Sequence, residues 1–156
     1  TAQELTESLT TETEKCRAIF RWITNNIKYD FDVLKDYKKD CEDPMIVYKR
    51  KKAVCGGFSS LFKAMCDEAK IKCIYITGQA GCTDNCWHAW NIVKLDGVWY
   101  SMDITWASSQ ISGLVRNTKY TKQFDESYWM ADYKLMAKDH WTDDSYWQEY
   151  IVPSSK

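Results

Sequence analysis

Three residues of this chain have side chains and surroundings suited to covalent chemistry on a carbonyl. They are the thiol of Cys55 in Val54-Cys55-Gly56-Gly57-Phe58, the imidazole of His88 in His88-Ala89-Trp90, and the carboxylate of Asp103 in Asp103-Ile104-Thr105-Trp106. A cysteine attacks as its thiolate, which needs positive charge nearby. The first turn of a helix supplies a partial charge and an imidazolium a full one. His88 would pair with Cys55 and then protonate a leaving amine, while Asp103 orients the ring and stabilises its charged form. The backbone N–H of Cys55, at a helix start, would donate to the developing oxyanion. A second donor is needed, and Tyr29, Tyr48 and Trp22 are the candidates. His140, the only other histidine, lies in a polar C-terminal segment and is the alternative base. Singly, each residue has an ordinary reading: a buried cysteine beside a glycine turn, a strand histidine, a strand-end aspartate. Only their joint placement points to a catalytic site.

That placement depends on a helix and a hairpin. Phe58, Leu61, Phe62, Met65 and Ala69 recur at helical spacing and predict a core helix whose first turn contains or follows Cys55. A β-rich run over 71–77, ended by Gly78, predicts a strand. Runs at 87–95 and 98–103 flank Asp96-Gly97, a two-residue hairpin signal. Closing the hairpin at Leu95 and Val98 sets Ile92 opposite Ser101, Trp90 opposite Asp103 and His88 opposite Thr105. His88 and Asp103 then share a face as diagonal neighbours, roughly 7–8 Å apart at Cα. A slip of one residue would separate them. The opposite face, with Ala89, Val93, Leu95, Val98, Tyr100, Met102 and Ile104, reads as the core side, and the His88 face as the more polar one. Upstream, Thr11 and Glu14 form a capping-box pattern ahead of a helix over 11–27, and Asp43-Pro44 reads as a cap and first turn. Beyond Trp106 the chain is loop-like, with short strands and turns expected over 119–150.

The chain has 156 residues, no internal repeat and no linker, so a single domain is expected, with a core over 11–107 and a C-terminal extension over 108–156 packed on it. Lys and Arg number 21 against 22 Asp and Glu. No global field therefore argues for nucleic acid. The basic run Lys49-Arg50-Lys51-Lys52 reads as a solvated face, although it lies just before Cys55, where positive charge favours a thiolate. No apolar run approaches the roughly 20 residues of a membrane span. Of the seven cysteines, Cys16, Cys66 and Cys73 lie in apolar patterns and are expected as buried free thiols. Cys82 and Cys86 could form a local disulfide, and no second pair completes a zinc site, so no metal or cofactor is expected. Eight Trp and ten Tyr exceed the needs of a core. Trp90, Trp106 and Tyr48 are accordingly assigned to a groove that binds an extended substrate.

The segments over 13–23 and 27–30, Val54 to Phe58, His88-Ala89-Trp90-Asn91, Gly97-Val98-Trp99-Tyr100, Asp103 to Trp106 and the tail Asp139-His140-Trp141 with Trp147-Gln148 together resemble the transglutaminase-like superfamily. Within it they are similar to the subgroup named after kyphoscoliosis peptidase. The resemblance implies an α+β, papain-like core, with the nucleophile at the start of a central helix packed on an antiparallel sheet. It also implies that Cys55, His88 and Asp103 are the catalytic triad. The loop from Cys82 to Cys86 departs from the family pattern. Active members share a thioacyl-enzyme: water as acceptor gives hydrolysis, and a lysine amine gives a cross-link. Without an EF-hand loop or the Cys-x-x-Cys pairs of peptide N-glycanases, a cysteine peptidase or amidase is the expectation. A cross-linking acyl transferase and a catalytically silent interaction module are the rivals. The expected partner is a protein or peptide, or a peptidoglycan stem peptide if the source is bacterial. Exported bacterial relatives favour an extracytoplasmic location.

Overall fold

A computed structural model describes residues 1–33, 38–81, 86–108 and 126–142. A short helix, α1 (Ala2–Thr6), precedes α2 (Glu12–Asn26). The expected capping box forms: Thr11 Oγ1 accepts the Glu14 N–H at 3.1 Å, and Glu14 Oε2 accepts the Thr11 N–H at 3.0 Å. Its apolar stripe buries Cys16, Ile19, Phe20 and Ile23. Strand β1 (Lys28–Tyr29) pairs in parallel with β2 (Lys52–Ala53), and α3 (Pro44–Arg50) lies between them in sequence. Asp43 caps α3 as expected, accepting from the N–H groups of Met45 at 2.8 Å and Ile46 at 3.0 Å.

The central helix α4 (Cys55–Glu68) buries Phe58, Leu61, Phe62, Met65 and Cys66 and packs on the main sheet. That sheet is antiparallel throughout, in the order β5 (Val98–Met102), β4 (Trp87–Leu95), β3 (Lys72–Ala80), β6 (His140–Trp141). Asp96 and Gly97 both have positive φ, 50° and 90°, as a type I′ hairpin turn requires. The register is the expected one, from Leu95 opposite Val98 through Ile92 opposite Ser101 to Asn91 opposite Met102.

Two expectations are corrected at the ends of these strands. Gly78 does not end β3: the strand runs to Ala80, and a Cβ at 78 would overlap the Trp141 carbonyl and approach the Trp90 ring. The glycine marks the close approach of β6. At the other end, β5 stops at Met102, and the expected pairings of Trp90 with Asp103 and His88 with Thr105 are not made. Asp103 instead caps the short helix α5 (Ile104–Ala107), its Oδ1 accepting the Trp106 N–H at 2.9 Å. A side chain that satisfies a backbone donor three residues on competes with the ladder, and here it wins.

The sheet is buried on both faces. One carries Cys73, Val93 and Met102, and the other Trp90 and Ile92, all within the core. The face of His88 is therefore polar in part but covered, and Tyr128, Ala131 and Met136 from the described C-terminal residues belong to the same core. Those residues include α6 (Tyr133–Met136), which leads toward β6. Cys16, Cys66 and Cys73 are buried free thiols as expected. Burial, then hydrogen bonds with Cys16 and Cys73, push the Cys66 thiol up. Cys86 is disulfide-bonded, while Cys82 lies outside the described residues. Among the described residues no helix is long and apolar enough to cross a membrane.

Candidate active site

Cys55 is the first residue of α4 and is half-buried. Val54 ahead of it is extended, with φ −93° and ψ 179°, and its side chain makes no cap. The first-turn N–H groups thus have no side-chain cap at the end of the helix where partial positive charge accumulates. The two glycines that follow allow this helix start to sit deep. A Cβ at Gly57 would lie 2.7 Å from Ala53 Cβ, 2.9 Å from Val47 Cγ2 and 3.1 Å from the Cys41 carbonyl oxygen, and one at Gly56 would overlap the Glu42 carboxylate. Ser60 Oγ, one turn further along, donates to the Glu42 carbonyl.

Two phenols, of Tyr29 and Tyr75, lie close enough to Cys55 to sense its charge. Burial, then the nearby Cys55, raise the Tyr29 hydroxyl to about 12. Burial, then Glu42, then Cys55 raise Tyr75 further still. Both remain protonated, and so able to donate, at neutral pH. Tyr29 was one of the donors suggested by the sequence. Tyr75 was missed, because nothing in the pattern of β3 marks it.

His88 and Asp103 meet as the hairpin implied, although Asp103 gets there from a helix cap. His88 Nε2 is 2.7 Å from Asp103 Oδ2, which leaves Nδ1 as the ring nitrogen available to the nearby Cys55. Burial alone would make His88 a weaker base, but the Asp103 charge and hydrogen bond, and then Cys55, outweigh it and raise His88 to about 10. For Asp103, burial acts to raise the carboxyl. The charge of His88, then the hydrogen bonds from His140 and His88, hold it well below the usual carboxylate range.

His140 is the residue the sequence misjudged. Although it lies in a polar C-terminal segment, it is buried, with Nε2 2.9 Å from the same Asp103 Oδ2 and Nδ1 2.6 Å from Asp139 Oδ1. Strand β6 delivers it by pairing with the end of β3, where Ala80 faces His140. The only sequence signal was the Asp-His-Trp tail.

The residues assigned to a substrate groove do not form one. Trp90 is 0 % exposed, its ring 5.0 Å from His140 and 6.2 Å from His88. Trp106 is also buried, 5.4 Å from His88 and 4.6 Å from His140. Both wall the imidazoles rather than face solvent, Trp90 because β4 is central and covered on both sides and Trp106 from the short helix α5. Tyr48 stacks on Trp22 at 5.5 Å beneath Lys51, in a cleft with Leu61, Met65 and Glu68. Met65 is on the order of 15 Å along α4 from Cys55, so neither Tyr48 nor Trp22 reaches the thiol. Within the basic run, Lys51 covers these two rings and Arg50 pairs with Asp30 at 3.0 Å.

By donor type, His88, Asp103 and His140 could hold a divalent cation, since their ligand atoms all lie within 4.8 Å of one another. Those atoms are already hydrogen-bonded among themselves. The cluster is thus satisfied as a proton-bearing chain.

The family model of the transglutaminase-like superfamily matches residues 1–104. The chain is 32% identical to kyphoscoliosis peptidase of Mus musculus, over 97% of this chain and 24% of that protein. It is 25% identical to Hillarin of Drosophila melanogaster, over 94% of this chain and 20% of Hillarin. The chain thus spans about a quarter of the length of the first curated relatives it matches. Among solved structures it resembles a TGase, with a TM-score of 0.55 and 23% identity, over 67% of this chain and 30% of that one. It also resembles a candidate cysteine protease from Cytophaga hutchinsonii, with a TM-score of 0.56 and 24% identity, over 67% of this chain and 35% of the other. The shared feature is the α+β, papain-like fold.

Proposed function

The chain belongs to the transglutaminase-like superfamily, and we propose that it acts on amide bonds through a Cys55 thioacyl-enzyme, as a peptidase or amidase with protein or peptide substrates. The observation that carries this reading is the hydrogen bond between His88 and buried Asp103, with Cys55 nearby at the start of the central helix. Attack requires the proton on His88 and the sulfur as thiolate. The thiolate attacks the carbonyl carbon, and the oxygen takes the electron pair, with the Cys55 N–H and the Tyr29 hydroxyl as the assigned donors. Collapse expels the amine, which takes the proton from His88 Nδ1 and leaves a thioester. Water then gives its proton back to His88 as it attacks, releasing the acid and Cys55.

The test is intact-mass detection of a covalent adduct with a peptide-based thiol-reactive probe, comparing the native protein with Cys55→Ala and His88→Ala. An adduct that needs both residues supports the reading. Labelling of Cys55 no faster than free cysteine sinks it and leaves a silent binding module. Incorporation of dansylcadaverine into a glutamine-containing protein would instead mark a cross-linking transferase.

A further inference from the structure

Each ring nitrogen of His140 faces a carboxylate oxygen: Nε2 meets Asp103 Oδ2 at 2.9 Å, and Nδ1 meets Asp139 Oδ1 at 2.6 Å. A neutral imidazole has one donor and one acceptor nitrogen, so it cannot satisfy two ionised carboxylates at once. Asp103 has no proton to offer, since it accepts the Trp106 N–H on Oδ1 and His88 on Oδ2. Asp139 accepts the Tyr128 hydroxyl on Oδ2 at 3.1 Å, which leaves Oδ1 for His140. The ring is further enclosed by Trp106, Trp90 and Tyr128, with centroids 4.6, 5.0 and 6.0 Å away. Aromatic rings at such distances stabilise a desolvated cation.

We propose that His140 is a positioning residue that carries a proton on both ring nitrogens, and that as a buried cation it both anchors the Asp103 anion and restrains the hold of Asp103 on the His88 proton. The inference rests on the Cys55–His88 reading of the preceding section. Its chemical sense is that the acid of the site must release its proton to a departing amine. A second cation on the same carboxylate oxygen, its ring 5.7 Å from that of His88, shares that oxygen and repels the His88 imidazolium. The titratable and charged groups around the pair come from five segments. They are Asp103 at the cap of α5, Asp139 before β6, His88 of β4 with Cys55 at the start of α4 beyond it, and the Tyr128 hydroxyl.

The chain has two histidines, so ¹⁵N-histidine NMR of the native protein shows two rings, told apart by a variant of either one. At neutral pH the His140 ring is expected to show both nitrogens protonated; one bare nitrogen on that ring overturns the proposal. The second measurement is the pH profile of Cys55 alkylation by iodoacetamide in His140→Gln, a neutral replacement. Loss of the cation should move the alkaline limb, where His88 loses its proton, upward by about one pH unit. A residue that merely supports Asp103 would move that limb the other way or lower only the amplitude, and either result refutes the proposal. If the variant does not fold, the native spectrum decides. Absence of accelerated alkylation in the native protein would fell the functional reading and this inference together. A normal native profile with an unmoved limb in His140→Gln overturns this inference alone.

Discussion

Replacing Asp103 with Asn keeps the side-chain shape and removes the charge on which the polar chain is built. In the native site Oδ1 accepts the Trp106 N–H, and Oδ2 accepts from both imidazoles. An amide that keeps its oxygen on Trp106 turns its NH₂ toward His88. Nε2 must then accept, the remaining proton shifts to Nδ1, and the ring beside Cys55 is neutral. The opposite orientation sets two donors face to face at Trp106, costing about 1–3 kcal/mol for a buried unsatisfied group. His88 rises from 6.5 to about 10 against the effect of burial, with Asp103 the largest favourable cause. At about 1.4 kcal/mol per pH unit, that rise is about 5 kcal/mol of preference for the imidazolium. Losing most of it leaves the charged ring a minority species at neutral pH and lowers the acylation rate on the order of 10²–10⁴-fold.

The assay is the second-order rate of Cys55 alkylation by iodoacetamide between pH 5 and 9, read by intact mass, with a thermal melt to establish that Asp103→Asn is folded. At pH 6 the native protein should react as a thiolate and the variant as an ordinary thiol. A folded variant alkylated at a rate within about threefold of the native one would refute the reasoning, because the imidazolium would then not depend on the carboxylate.

Gly57→Ala should destabilise the protein by up to about 2 kcal/mol in urea unfolding. The helix-propensity gain of about 1 kcal/mol is outweighed by overpacking of about 1–3 kcal/mol against Ala53, Val47 and the Cys41 carbonyl. A stabilised variant would show that the close seat of α4 is not a constraint. Tyr29→Phe should slow the acylation burst with p-nitrophenyl acetate by about 10–10³-fold while leaving iodoacetamide alkylation, which forms no oxyanion, unchanged; an equal loss in both would place Tyr29 with the thiolate rather than the oxyanion. Stability should also depend on pH through the buried pair. His88 is raised, so its contribution is complete below 6.5 and lost as pH climbs toward about 10. Asp103 is lowered, so its contribution is present above 3.8 and lost as pH falls through its depressed folded value. The melting temperature should therefore plateau between those limits and fall on either side, and Asp103→Asn should flatten the curve.

The parts of the site legible in the sequence are those set by short-range rules. The periodicity from Phe58 to Met65 located α4, and the Asp-Gly turn fixed the register that brings His88 and Asp103 together. What the sequence obscured depends on tertiary competition. Asp103 left the strand because its carboxylate found the Trp106 N–H. Trp90 was assigned to a groove because alternation cannot reveal that a central strand is covered on both faces. His140 contacts a residue 37 positions away through a two-residue strand, too short to leave a periodic signal.

The division between these parts has a consequence for how the site is built. Cys55, His88 and Asp103 all lie within the region over 1–104 that matches the superfamily model. His140, Asp139, Tyr128 and Trp106, which enclose and charge the far side of Asp103, lie beyond it. A carboxylate held only by His88 would bind that proton as tightly as geometry allows. Docking β6 against the end of β3 inserts a competitor for the same oxygen. On the proposed reading, the covalent machinery and the adjustment of its acid strength reside in different stretches of chain. On that reading, substitutions around residues 128 and 139–140 would retune the pH range of Cys55 reactivity while leaving Cys55, His88 and Asp103 in place.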